Sequence, residues 1–196
     1  MDKRLFLSAT TLAAVVPIRA TAVTRTQPGG GGPGLLTVSG AIGKSNRGPL
    51  DAVVDQMLVK HGVTFDKAWV FDASALQHLA AVTIRPTLEY DAKPHTLAGP
   101  SLGSVLEAAG VAPAADVLLT LRAVDGYAVV LGLADARAYR MIVATSIDGH
   151  PLALGGLGPQ WAVIDADTVV AFKDKPLKER FALCPWGLYH IDVKPR

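Results

Sequence analysis

The shortness of its patterned segments limits what this chain can fold into more than any other feature. Strand signals occur only in brief runs: apolar and small polar residues alternate at 35–40, and further short strands are expected at 82–85, 117–122, 127–131, 141–145, 160–164 and 189–193. Helical spacing is equally brief. It sets Val54, Met57 and Leu58 on one face of a helix at 52–59, stopped by Gly62, and places Leu76, Leu79 and Ala80 inward behind an Asp72 N-cap. Ser101 caps the clearest helix, 102–109, whose apolar stripe is Leu102, Val105, Leu106 and Ala109 and whose stop is Gly110. A further short helix is expected at 133–139.

Between these runs, 43–49 reads as loop, and Pro86 ends the strand at 82–85 because proline has no N–H to donate. Val124-Asp125-Gly126 turns one strand onto the next, and Asp148-Gly149 is a second turn. Strands outnumber helices, no regular β-α-β alternation occurs, and no repeat of fixed period is present. A mixed α+β domain is therefore favoured over a Rossmann or solenoid fold.

The N-terminus predicts export. Lys3 and Arg4 precede an apolar run over 5–17, and Ala20-Thr21-Ala22 fits the small-x-small cleavage pattern, so residues 1–22 read as a signal peptide and Val23 as the first mature residue. The run falls short of the ~18–20 residues that cross a bilayer, and Ser8, Thr10 and Thr11 dilute it. Lys3-Arg4-Leu5-Phe6-Leu7 resembles a twin-arginine signal with Lys in the first place, which leaves general and twin-arginine export both open. Residues 23–34, with Gln27-Pro28 and a glycine run broken by Pro33, read as a tether, and 35–196 as one domain in the periplasm or outside the cell. No later segment is long enough to span a membrane.

A net charge of +2, part of it in the signal, leaves no basic stripe for a polyanion and argues against nucleic-acid binding. Cys184 is the only cysteine, so no internal disulfide forms, and its apolar setting suggests a buried thiol. The histidines at 61, 78, 95, 150 and 190 lack ligand spacing, and no protein-ligated zinc is expected. No Gly-x-Ser-x-Gly elbow surrounds Ser101 or Ser104, and Gly155-Gly156-Leu157-Gly158 lacks the Lys-Ser/Thr of a phosphate loop.

Five segments occur in an order that resembles the molybdopterin-binding domain of the sulfite oxidase family. They are Leu36-Thr37-Val38-Ser39-Gly40-Ala41-Ile42, the stretch 97–110, Asp125-Gly126-Tyr127, Gly149-His150-Pro151-Leu152 and Gly158-Pro159-Gln160-Trp161. The resemblance spans nearly the whole domain and implies the sulfite-oxidase fold, a mixed α+β domain around a pterin-sized pocket. Two departures stand out. The family's molybdenum-ligating cysteine follows the second strand, where this chain reads Thr83-Ile84-Arg85-Pro86-Thr87-Leu88. Neither Thr nor Arg replaces a soft thiolate. Trp161 also stands where family enzymes usually carry an Arg for the cofactor's phosphate, and an indole offers a flat face instead of a fork.

The chain thus looks like the small exported members of that fold that bind a reduced, molybdenum-free pterin and report it to a membrane-bound cyclic-di-GMP enzyme. A molybdopterin-dependent oxidoreductase and a ligand-free adaptor are the alternatives. On this reading Trp161 stacks on the pterin, the other possibility being a core tryptophan, and Gln160 of the same motif is carried with it. Asp125 and Tyr127 line the pocket, with the carboxylate accepting from the pterin's 2-amino and N3–H edge, unless they form only a hairpin turn. Arg85 and Thr87 hydrogen-bond the ligand from the former metal-ligand segment, and Glu89 and His95 contribute from a polar loop, the alternative for Arg85, Glu89 and His95 being plain solvent exposure. His150 reads as a turn residue, His61 and His78 as helix-end or exposed positions, and Trp69 and Trp186 as core or partner surface.

Overall fold

The structure, a computed structural model, describes residues 31–196. The expected export signal and the tether as far as residue 30 lie outside the described residues. Leu35 makes the first sheet contact, its N–H donating to the Phe71 carbonyl at 2.8 Å.

β1 (Leu36–Gly40) buries its first four residues, and Gly40 redirects the chain with φ 89°. The helix expected at 52–59 is shorter and starts later, as α1 (Gln56–Lys60). Two aspartates divert its start. Asp51 Oδ1 accepts the Val53 and Val54 N–H groups in a separate turn, while the Asp55 carboxylate accepts the Asp51 N–H and pairs with Arg47 instead of capping the helix. Of the expected apolar face only Leu58 is buried; Val54 and Met57 are exposed.

β2 (Ala68–Phe71) is a strand that the alternation pattern does not predict. α2 (Ala73–Gln77) begins at Asp72, whose carboxylate accepts the Ala75 N–H at 2.7 Å. Leu76 is buried and Leu79 packs on the core, but Ala80 is exposed because the helix ends at His78. β3 (Ala81–Ile84) pairs with β4 (Leu97–Pro100), which contains two strand breakers. Glycine is required at 99: a Cβ there would collide with the Val143 carbonyl packed across it.

α3 (Leu102–Ala108) forms as the stripe predicts. Ser101 accepts the Ser104 N–H at 2.9 Å, and Leu102, Val105 and Leu106 are buried, each contributing about 1.5–3 kcal/mol by leaving water. Gly110 exits with φ 86°. β5 (Val117–Ala123) and β6 (Ala128–Gly132) make the expected hairpin, and α4 (Leu133–Ala138) leads to β7 (Ile142–Ala144). Asp148-Gly149, both at positive φ, join β8 (Ser146–Ile147) to β9 (His150–Pro151) in a two-residue turn. His150 therefore lies in β9 just past the turn. β10 (Trp161–Val163), a 3-10 turn (Leu177–Glu179) and β11 (Leu188–Pro195) follow.

The strands form a five-stranded sheet in the order β2-β1-β11-β5-β6, a four-stranded sheet β3-β4-β8-β9 and the pair β10-β7. Among these strands only β1 and β11 pair in parallel; the remaining pairs are antiparallel. Content is thus mixed, with sheets predominating and helices short. Leu36, Leu121 and Ile191 of the large sheet share one core with Leu97, Leu106, Ile142 and Trp161. Three connections leave this core and converge: the β3–β4 loop, the β5–β6 turn and the run that precedes β11.

Candidate functional site

Those three connections enclose a cavity of about 310 Å³. The β3–β4 loop supplies Glu89 and Tyr90, and the β5–β6 turn supplies Asp125 and Tyr127. The run before β11 supplies Lys178, Phe181, Cys184 and Trp186. A volume of about 300 Å³ lies at the small end of ligand pockets.

Hydrogen bonds fix the walls to one another. Asp125 Oδ1 accepts the Tyr127 N–H at 2.9 Å, the usual aspartate device for holding a tight turn, and Gly126 completes that turn with φ 91°. The Tyr127 hydroxyl reaches over to donate to the Ala182 carbonyl at 2.7 Å, tying the hairpin to the run before β11. Tyr90 and Trp186 also line the cavity. The Tyr90 phenol is pushed above its ordinary range, first by partial burial and then by the Glu89 carboxylate, so it remains protonated and able to donate. Tyr90, Tyr127 and Trp186 are 57%, 48% and 37% exposed, which leaves aromatic surface open for stacking. Two carboxylates, Glu89 and Asp125, and one ammonium, Lys178, are the charged groups of the lining.

Of the residues that the sequence nominated, Glu89, Asp125 and Tyr127 line this cavity and the other five do not. Trp161 is a correction: it is 1% exposed and offers no face to a ligand. Its indole N–H donates at 2.8 Å to the Cys184 carbonyl, and the Ala162 N–H donates to the Pro185 carbonyl at 3.1 Å. Strand β10 thus braces the Cys184-Pro185-Trp186 wall from behind. Gln160 is fully buried and donates to the Leu35 carbonyl at 2.7 Å, closing the start of the domain. Arg85 is exposed beyond the end of β3. Thr87 gives its N–H to Asp167 Oδ2 at 2.7 Å, and Asp167 pairs with Arg180 at 2.7 Å. His95 stands between Asp91 and Asp148, at the base of the loop whose tip carries Glu89 and Tyr90.

Tyr90, Lys178 and Phe181 carry no sequence signal strong enough to nominate them, and Trp186 reads from sequence only as core or partner surface. The one available signal is an aromatic set between polar neighbours, Glu89-Tyr90-Asp91, in a chain with few aromatics.

Cys184 borders the cavity although it lies far along the chain from the segment where the resemblance would place a metal ligand. Burial pushes its thiol up to about 12; the Ile164 backbone N–H opposes this and the Glu89 carboxylate adds to it. A thiol in that state is a weak nucleophile and a poor soft-metal donor at neutral pH. Among the described residues no group of three His, Cys, Asp or Glu side chains is placed to hold a metal ion, and no helix is long and apolar enough to cross a membrane. No family model and no curated protein matches the chain.

The arrangement can do two things chemically. It can stack a flat ring on the Tyr90, Tyr127 and Trp186 surfaces, and it can accept hydrogen bonds at Glu89 and Asp125 from a donor-rich edge.

Proposed function

We propose that this chain is an exported, non-catalytic pterin-binding protein of the sulfite-oxidase fold, which reports ligand occupancy to a membrane-bound cyclic-di-GMP enzyme. The observation that carries the pterin assignment is the cavity in which aromatic surface and two carboxylates converge. A pterin presents a planar bicycle to the aromatics and a 2-amino and N3–H edge to a carboxylate. Stacking of a ring on an aromatic side chain is worth ~1–3 kcal/mol, and charge-assisted hydrogen bonds add to it. The ordered motifs that resemble the molybdopterin-binding domain supply the fold assignment, the basic and apolar N-terminus supplies the location, and the signalling role rests on the resemblance.

One observation favours the oxidoreductase reading: Cys184 is in the cavity wall. The donor set does not fit a molybdenum cofactor. The Cys184 thiol is held neutral by burial and by Glu89, and a cofactor phosphate would meet two carboxylates and a single lysine.

The test is titration of the purified protein with tetrahydrobiopterin and with biopterin, in wild type and Trp186→Ala, alongside elemental analysis of protein from a molybdenum-replete host. Saturable pterin binding that weakens in Trp186→Ala, without molybdenum, is the expected outcome. Absence of pterin binding, or stoichiometric molybdenum, overturns the proposal.

A further inference from the structure

The loop that carries Glu89 and Tyr90 to the cavity is folded back on itself. The Leu88 N–H donates to the Lys93 carbonyl at 2.9 Å, the Ala92 N–H to the Leu88 carbonyl at 3.0 Å, and the His95 N–H to the Pro86 carbonyl at 3.0 Å. Ala92 takes φ 56° to make the tip. Leu88 anchors the loop in the core, whereas Tyr90, Asp91, Ala92 and Lys93 beyond it are exposed, so the position of that tip is left to polar contacts.

His95 links that exposed tip to the β8–β9 turn. Its Nδ1 lies 2.6 Å from Asp148 Oδ2, on the β8–β9 turn, and its Nε2 lies 3.0 Å from Asp91 Oδ2, the residue next to Tyr90. The same Asp148 accepts the Thr96 N–H through Oδ1 at 2.9 Å. Both ring nitrogens therefore face carboxylate oxygens, which only accept. A neutral imidazole has one N–H and satisfies one of these contacts; the imidazolium satisfies both.

We propose that His95 is a positioning residue, a protonation-dependent clasp that holds Glu89 and Tyr90 against the cavity and makes its occupancy fall as pH rises. The ligand part of this inference rests on the pterin reading; the clasp itself does not. Hydrogen bonds to Asp148 and then to Asp91 raise the basicity of the imidazole, and His95 in return lowers both carboxylates. Lys93 on the loop and His150 beyond the turn are the other charged or titratable groups acting on the pair of aspartates. A histidine whose folded value is raised contributes fully below its ordinary value of about 6.5 and loses that contribution as pH passes through its own higher value. The clasp is closed in mildly acidic solution and opens toward alkaline pH.

Two readouts test this with the full mature protein. The first is the anaerobic affinity for tetrahydrobiopterin in wild type, His95→Gln and His150→Gln. Between about pH 6 and about pH 9, wild type and His150→Gln should lose roughly fivefold more affinity than His95→Gln, the scale expected when one ion-pair contact is lost. Identical pH profiles in wild type and His95→Gln overturn the proposal. The second is amide hydrogen exchange at Leu88, Ala92 and His95, normalised to the intrinsic rate. Protection should fall with pH in wild type and stay constant in His95→Gln. If tetrahydrobiopterin binds at no pH, the pterin reading fails and the exchange data alone decide the clasp, which is overturned by equal pH dependence in the two proteins.

Discussion

Replacing Trp161 with phenylalanine separates a bracing role from a ligand-stacking role. Trp161 is 1% exposed, contacts Phe181 with ring centroids 5.9 Å apart, and gives its indole N–H to the Cys184 carbonyl at 2.8 Å. Phenylalanine keeps an aromatic ring but no donor, so the carbonyl is left unpaired in a dry setting at a cost of about 1–3 kcal/mol. The smaller ring also leaves a partial void, adding about 1–2 kcal/mol. Together these predict a loss of about 2–5 kcal/mol, or roughly 5–15 °C in Tm for a domain of this size. The assay is thermal and urea unfolding followed by far-ultraviolet circular dichroism, which does not depend on the tryptophan being replaced. A brace predicts a large drop in stability. An unchanged midpoint together with weakened tetrahydrobiopterin binding would refute the bracing role and return Trp161 to the ligand.

Cys184, with its thiol pushed up to about 12, should react with iodoacetamide at neutral pH only as fast as the protein unfolds, so its labelling rate should climb with urea in step with the unfolded fraction; rapid labelling of the native protein would contradict this. His190 is fully buried, with Nε2 at 2.8 Å from Ser39 Oγ, and burial followed by the nearby Arg122 charge pushes its imidazole down to about 3. The unfolded chain then binds the extra proton below about pH 6.5, so stability falls by up to about 1.4 kcal/mol per pH unit as pH drops toward the folded value. His190→Val should flatten that acid limb relative to wild type, and parallel stability curves over the same range would count against it.

Some elements are legible in the sequence and others are hidden for identifiable reasons. β5 alternates buried and half-buried residues from end to end, and α3 carries a cap, a stripe and a glycine stop within one short segment. Local chemistry and tertiary packing agree there. β4 is hidden because Gly99 and Pro100 argue against a strand, and the reason for the glycine is a backbone packed across it from β7. The apolar spacing at 52–59 is real, but Asp51 and Asp55 hydrogen-bond locally and delay the helix, which no hydropathy pattern reports. At the cavity, Asp125 and Tyr127 can be named because a turn and its flanks are local. Lys178 and Trp186 cannot, since they come from a run with no periodicity and meet the β3–β4 loop only after folding. Trp161 misleads for the opposite reason. An apolar strand buried on both faces gives no clue to which side chain reaches a pocket and which supports its wall.

Charge around the cavity distinguishes a bare pterin from a phosphorylated cofactor more sharply than shape does. Glu89 and Asp125 line the cavity from two different connections, and Lys178 is the single cationic side chain in its lining. At a separation of about 4 Å, each unit-charge pair contributes ~1 kcal/mol in water and ~4 kcal/mol near a protein surface. A phosphate carries more than one unit at neutral pH, so repulsion at that range exceeds what a single ammonium returns. A bare pterin reverses the sign of the same contacts, because its amino and N3–H donors are what an ionised carboxylate accepts. Two lining carboxylates against one lysine therefore favour a ligand that is rich in donors and free of phosphate.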